Sequence, residues 1–392
     1  MFHVKHEIED WQEGGFGLYL HWPFCESKCP YCDFNSHVAS QVDQARWCRA
    51  YLTEIDRVGE LTVGRVLQTV FFGGGTPSLM QAETVHAILD RVRRTWRTSN
   101  AIEITLEANP RSIEADRFAA YRDAGVNRVS IGIQSLREGP LKQLGRLHSV
   151  AEARAALETA NRVFDRVSFD LIYARQGQML ADWREELTEA LAMAKDHLSL
   201  YQLTIEPGTA FGDRLSAGKL AGLPSELLAA DMYDLTQTLC DQAGMPAYEV
   251  SNHARPGSES RHNRIYWTGG DFAGIGPGAH GRLTLHGQRI ATEALRAPTA
   301  WLQAIEGGQD TESRTTLDPT EQATEYLLMG LRVTEGISLR RLSRLVGRSF
   351  PGSAAQDLIA SGHLCHEGDR LRTTPLGRIL LNAVLRHLAD DL

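Results

Sequence analysis

Residues 25–37 read CESKCPYCDFNSH. Cys25, Cys29 and Cys32 follow the spacing C-x3-C-x2-C, with His21 ahead of them and His37 at the end. Three soft thiolates from one short loop, directly after the apolar run GLYLHW, read as a metal site rather than a disulfide framework. Two chemistries suit the set. Zinc takes Cys3His, with His37 as the fourth ligand. An iron–sulfur cube takes three cysteines and leaves one iron without a protein ligand, open to substrate or cofactor. Structural zinc modules usually pair two knuckles, whereas here every ligand comes from a single loop. Cys48, Cys240 and Cys365 are scattered and read as small buried apolar residues.

Outward from the loop, strand and helix patterns alternate. GLYLHW, QTVFF, IEITLEANP, VNRVSIGIQSL, VSFDLIYA and HLSLYQLTI read as strands, with helical spacing between them, as in ARWCRAYLTEIDRV and AETVHAILDRVRRTW. SIEADRFAAYRDAG reads as a helix with a start at Ser112 and a stop at Gly125. Six such repeats imply an α/β fold with a parallel sheet and helices outside it. In such folds the site lies at the carboxyl ends of the strands. The cysteines, GGGTP, Glu107, Gln134 and Asp170 are therefore expected to converge. Gly73, Gly74 and Gly75 let the backbone approach a ligand closely, and Thr76 and Pro77 fix the exit of that turn. Glu107 suits a ribose hydroxyl or an ammonium, and Arg146 in LGRLHS suits a carboxylate.

The tail changes character. DPTEQATEYLLMGLRV, SLRRLSRLVG and AAQDLIASG read as helices, HLCHEGDRLRTT as a hairpin, and TPLGRILLNAVLRHL as a helix capped by Thr374 with Pro375 at its first position. Helices, a hairpin wing and a further helix make a smaller winged-helix-like domain, with a packing or lid role rather than DNA binding. The expected division is 1–290 for the core and 291–392 for the tail, with about 284–320 as connector. The 392 residues are 42% hydrophobic and 23% charged, with net charge −8. That suits a large domain plus a small one and lacks the basic surplus of a general nucleic-acid binder. MFHVKHEIEDWQEGG has no apolar signal region, and no apolar run approaches the roughly 18 residues of a membrane span. The expectation is a cytoplasmic chain, with peripheral attachment at a membrane left open.

CESKCPYC resembles the cluster loop of the radical S-adenosylmethionine (SAM) superfamily, and GGGTP about forty residues on strengthens the likeness. The resemblance implies a partial (β/α)6 TIM-like barrel and a 4Fe–4S cluster held by Cys25, Cys29 and Cys32. Its open iron would be chelated by SAM, whose C–S bond an electron from the cluster can cleave. LYLHWPFCESKCPYCDF, FFGGGTPSLM, EANP, GVNRVSIGIQSL, LGRLH, SFDLIY, YEVSNHARPG, HNRIYW and GIGPGAHG, in that order, are similar to the oxygen-independent coproporphyrinogen III oxidase-like family, which includes the HemW-type haem chaperones. Carried over, that likeness implies SAM contacts at Tyr19, Tyr31, Gly74, Gly75, Thr76, Glu107, Gln134, Arg146 and Asp170. One departure is visible: the family carries Gly-Leu-Pro-Gly-Gln after DLIY, and here the run is ARQGQ.

Two activities compete within the family. One is oxidative decarboxylation of coproporphyrinogen III to protoporphyrinogen IX. The other is a haem chaperone that binds haem and hands it to acceptor proteins, membrane-bound respiratory enzymes among them, with a homodimer left open. The oxidases resemble C-x3-C-x2-C-x-C, whereas position 34 here is Phe34, and the first strand begins within twenty residues, without the oxidases' longer N-terminal extension. HNRIYW resembles the chaperone signature. It offers His262 as a haem ligand and Tyr266 and Trp267 as aromatic cover. A third reading keeps cluster and SAM as structural or regulatory groups without turnover.

Overall fold

The structure is a computed structural model that describes residues 9–111 and 115–392, except for the side chain of residue 390. The cysteine loop leaves strand β1 (Phe16–Trp22). It is closed at its base by β2 (Phe24–Cys25) and β3 (His37–Val38), which pair parallel with Cys25 opposite Val38. β4 (Val66–Gly74), β5 (Arg97–Ala108), β6 (Arg128–Gln134), β7 (Arg166–Tyr173) and β8 (His197–Gln202) follow. In the sheet these strands lie in the order β1-β4-β5-β6-β7-β8, all parallel. They are the six strands expected from the sequence, and the helices between them include Gln44–Leu61, Ala82–Thr95, Val150–Val163 and Leu180–Met193.

The strands read as near-continuous apolar runs because both faces of a parallel sheet are covered. Leu18, Leu20, Val70, Phe72, Leu106, Ile131 and Leu171 are all fully buried. The helices pack on them with one apolar stripe each. Gln44–Leu61 buries Trp47, Tyr51, Ile55 and Val58, and its first turn is capped by Asp43, which accepts from the Arg46 N–H. Trp47 stacks on Trp301 at 5.6 Å and Tyr51 donates to the His21 carbonyl at 2.5 Å, so an aromatic cluster braces the strand that feeds the cysteine loop. The helix ending at Gly125 stops there as expected, with Gly125 at φ 112°. Its expected start at Ser112 lies outside the described residues.

The sheet is wider than six strands. β9 (Asn252–Ala254) pairs antiparallel with β8, and β10 (Asp271–Ile275) pairs parallel with the other side of β1. β11 (His280–Leu285), β12 (Gln288–Ala294) and β13 (Glu312–Thr316) then extend that edge as an antiparallel meander. The stretch 284–320, expected as a connector, therefore holds β12, β13 and the helix Pro298–Glu306, and β12 runs across residue 290. These strands escape a hydrophobic reading because they carry few large apolar side chains: QRIATEA in half-buried β12 has only Ile290, and ESRTT in largely exposed β13 has none.

A second core gathers Leu327, Leu342, Leu371 and Leu385. Around it lie the helices Pro319–Gly330, Leu339–Val346 and Ser353–Ala360 and a small antiparallel sheet of β14 (Ile337–Ser338), β15 (Leu364–Glu367) and β16 (Arg370–Thr373), in the order β14-β16-β15. This is the winged-helix-like tail. Thr374 caps the following helix through the Gly377 N–H, but that helix ends at Ile379, and a separate one, Leu381–Leu388, replaces the single long helix expected. Buried Arg341 ties the tail to the core, donating to Asp10 at 2.7 Å and to the Gly269 carbonyl at 2.9 Å. Among the described residues no helix is long and apolar enough to cross a membrane.

Candidate functional site

The carboxyl ends of β4 to β8 and the cysteine loop surround a cavity of about 440 Å³. Cys25, Cys29 and Cys32 line one wall; Tyr31, Gly74, Gly75, Thr76, Glu107, Gln134, Arg146 and Asp170 line the rest. The chain thus brings together residues far apart in sequence, because parallel strands present all their carboxyl ends on one side.

Each sulfur meets a polar neighbour. The Thr76 hydroxyl donates to Cys25 at 3.4 Å, Arg146 Nη1 donates to Cys29 at 3.4 Å, and the Ser36 hydroxyl lies 3.8 Å from Cys32. Hydrogen bonds to sulfur stabilise thiolate ligands and tune a bound metal centre, so the loop suits three thiolates on a cluster. His37 turns elsewhere: its Nε2 lies 3.2 Å from Asn35 Oδ1, and the ring does not line the cavity. Among the described residues, no three His, Cys, Asp or Glu side chains are drawn together as a single metal ion requires.

The glycines sit where backbone passes backbone. Gly74 has φ 110°, and a Cβ there would fall 2.6 Å from the His21 ring; at Gly75 it would fall 2.7 Å from the Phe24 carbonyl oxygen. The Gly75 N–H donates to the Trp22 carbonyl and the Thr76 N–H to that of Phe24, clamping this turn under the cysteine loop. Arg146 also donates from Nη2 to Asn109 Oδ1 at 2.6 Å and to the Gly132 carbonyl at 2.8 Å. Burial pushes the Glu107 carboxyl up to about 8, and the neighbouring Asp170 adds to the shift. Asp170 is pushed up to about 6 by burial, against hydrogen bonds from Ser199 and Ser130 and the charges of Arg128 and Arg146. Two carboxyls poised to ionise at one cavity wall favour a cationic guest. Gln134 adopts φ 71° beside a register shift between β6 and β7, which turns this strand end into the cavity.

The ARQGQ departure is internally compensated. Ala174 takes φ 55°, and buried Arg175 pairs with buried Glu186. Glu186 also accepts from the Ser135 hydroxyl and the Leu136 N–H, each at 2.6 Å.

Two expected contacts lie elsewhere. Tyr19 faces a second, larger cavity of about 720 Å³, between the β10–β12 edge and the tail helix Pro319–Gly330. Its hydroxyl lies 3.0 Å from His21 Nδ1. His262 lines neither cavity and is 1% exposed. Its Nδ1 lies 2.7 Å from Thr69 Oγ1 and its Nε2 2.6 Å from Tyr266 Oη. Burial, with Arg128 adding to it, pushes this imidazole down to about 3. With one nitrogen engaged by Thr69 of β4 and the other by Tyr266 of its own helix, Arg261–Trp267, the expected role of His262 as haem ligand has no free atom to act through; Tyr266 and the adjacent Trp267 do line the second cavity. Asp33, Phe34, Gly74 and Glu107 line both cavities, so Phe34, 59% exposed, stands at their shared wall.

Tyr201, Gln202 and Thr204 also line the first cavity, and the sequence patterns above did not single them out. Tyr201 and Gln202 end β8 and Thr204 follows it, and the rule that picked Glu107 and Asp170 on earlier strands would have found them.

Comparison with known proteins agrees with this geometry. The family described as "Radical SAM superfamily" matches residues 19–190, and the "HemN C-terminal domain" matches residues 317–380. Fold and site thus define a radical-SAM protein with a HemN-type tail. The chain is 37% identical over 373 residues to "Heme chaperone HemW" of Escherichia coli (strain K12), spanning 94% of this chain and 96% of that one. It is 37% identical to "Radical S-adenosyl methionine domain-containing protein 1, mitochondrial" of Danio rerio, over 94% of this chain and 85% of that one. The protein belongs to the HemW family of radical-SAM proteins. A solved structure of coproporphyrinogen III oxidase (HemN) from Escherichia coli superposes with TM-score 0.81 over 96% of this chain and 91% of that one; at 21% identity, it attests the fold.

Proposed function

We propose that the protein is a haem chaperone, binding haem in the second cavity and passing it to acceptor proteins, with a SAM-chelated 4Fe–4S cluster in the first. The observation that carries this reading is the pair of adjoining cavities with a shared wall at Phe34, Gly74 and Glu107. One is ringed by thiols, carboxyls and an arginine. The other is larger and bears aromatic rings and arginines, as a carboxylated macrocycle requires.

In the first cavity Cys25, Cys29 and Cys32 would hold the cluster. When bound, that group supplies an electron and an iron open to the amino-acid end of SAM. The chain's own residues then have separate tasks. Thr76 and Arg146 donate to the sulfurs. Gly74 and Gly75 keep the floor low enough for a ligand. Glu107 and Asp170 face the cationic parts of SAM, and Tyr31 and Gln134 close the sides. In the second cavity Tyr266 and Trp267 supply ring faces, and His262 holds Tyr266 from behind. Tyr19 belongs with this group, one strand away from the SAM seat first expected for it.

We place the working division of the chain near residue 317, where the sheet ends, and propose that the protein acts in the cytoplasm and meets membrane-bound acceptors at the membrane surface. The oxidase reading is disfavoured by Phe34, which stands where oxidases of this family carry a further cysteine. The test is transfer. Haem-loaded protein mixed with an apo-haem protein should lose its Soret band as the acceptor gains one. Steady conversion of coproporphyrinogen III to protoporphyrinogen IX, with SAM and a reductant, would instead establish the oxidase.

A further inference from the structure

Resting on the haem-cargo reading, we propose that haem in the second cavity is ligated by His280, with Arg296 pairing its propionates. The cavity lies between the β11–β12 ladder and the tail helix Pro319–Gly330, with β1 and the cysteine loop at its inner side. On the sheet wall His280 lies opposite Glu293, and Thr284 opposite Arg289. His280, Arg282, Arg289 and Glu293 thus share one face of the β11–β12 ladder, and all four line the slot. On the helix wall Gln322, Glu325, Tyr326 and Met329 recur at three- and four-residue spacing and line it too. The Arg282–Glu325 ion pair at 2.6 Å joins the walls, and Tyr266 packs edge-on against Phe272, ring centres 4.4 Å apart, at the inner end. A cavity of about 720 Å³ lined by aromatic rings, two histidines and several arginines has the room and the side chains for a carboxylated macrocycle.

The ligand follows from which nitrogens are free. His21 and His280 both line the slot. His21 has Nδ1 against the Tyr19 hydroxyl at 3.0 Å and Nε2 against the Asn35 carbonyl at 2.9 Å. His262, behind the wall, has both nitrogens engaged. The His280 ring is exposed and has no hydrogen bond or ion pair among the described residues. Glu293, directly across the strand pair, can accept from one of its nitrogens while the other meets iron, the arrangement that orients metal-bound imidazoles.

The same sorting picks the cation. Arg282 is committed to Glu325, Arg289 to Asp271 and Arg341 to Asp10. Arg296 lines the slot and has no ion-pair partner among the described residues, while its own carbonyl is fixed by the Asn35 side chain at 2.9 Å. Asn35 lies in the cysteine loop, so the propionate end of the slot is tied to the cluster end of the molecule. Met329, 39% exposed, offers an apolar cover over the opposite face.

The experiment is haemin titration of the full-length, cluster-reconstituted protein, read by Soret position and affinity. His280→Ala should move the Soret maximum and weaken binding about tenfold or more, and added imidazole should restore the wild-type band. Arg296→Glu should weaken haemin binding and leave the Soret position of the bound form unchanged. Wild-type affinity and spectrum in His280→Ala would overturn the proposal and leave the haem-cargo reading intact. A wild-type protein that binds no haemin would overturn both.

Discussion

Arg146 donates to the Cys29 sulfur across 3.4 Å, although the two residues lie 117 positions apart in the chain. The contact joins the cysteine loop to the carboxyl ends of the strands, and the same guanidinium reaches Asn109 and Gly132. Lysine cannot reproduce this fork of donors. Arg146→Lys should therefore assemble the cluster but bind SAM more weakly, by about 1.5–3 kcal/mol. Calorimetric titration of reconstituted protein checks this, and undiminished affinity would remove Arg146 from the site.

Gly74 makes a stability prediction. Its φ of 110° and the 2.6 Å that would separate an alanine Cβ from the His21 ring leave no room for a side chain. The His21 ring cannot swing aside without breaking its bonds to Tyr19 and Asn35. Gly74→Ala should cost about 2 kcal/mol or more, measured by urea unfolding of the apoprotein.

Arg175 and Glu186 form a buried pair in the segment that departs from the family pattern. Removing one partner leaves the other charge buried. Arg175→Met should destabilise by about 3–5 kcal/mol, and the double variant Arg175→Met with Glu186→Gln should recover part of that loss. A single variant that melts like the wild type would show that the pair carries no structural load.

The titrations give opposing slopes whose windows overlap between about pH 4.5 and 6.5. Glu107 has its pKa raised to about 8 in the folded protein, so the folded state holds a proton that the unfolded chain releases from about pH 4.5 upward. Its contribution to stability falls as pH rises from there to about 8. Glu107→Gln should stabilise the apoprotein at pH 8.5, by about 1–3 kcal/mol, while weakening SAM binding. His262, lowered to about 3, and His148 and His253, each lowered to about 4, act the other way. The unfolded chain takes up their protons first as pH falls below about 6.5, so their contribution to stability should fall from that pH down to about 4 for His148 and His253 and about 3 for His262. Melting curves of the wild type and of Glu107→Gln across pH 3–9 separate the two contributions.

The parallel core was legible because buried strands in a two-sided sheet are apolar throughout, and because polar residues such as Glu107 and Asp170 stand out at their ends. The cysteine loop was legible from spacing alone. Lateral position was not. Tyr19 alternates to the same face of β1 as His21, and at that place in the sheet the face opens toward β10 and the second cavity, which depends on a strand some 250 residues later. His262 and Tyr266, four apart, face each other on one helix. That spacing allows a mutual hydrogen bond as readily as two separate ligand contacts, and packing against Thr69 and Phe71 decides between them. β12 and β13 were missed because an edge meander whose one large apolar residue is Ile290 carries little hydrophobic signal.

The central claim is that three cysteines of one loop hold an iron–sulfur cluster beside the haem cavity. Metal and acid-labile sulfide analysis of anaerobically purified protein tests it most directly. About four irons and four sulfides per chain are expected, lost in Cys25→Ala, Cys29→Ala and Cys32→Ala; stoichiometric zinc without iron or sulfide would contradict the claim.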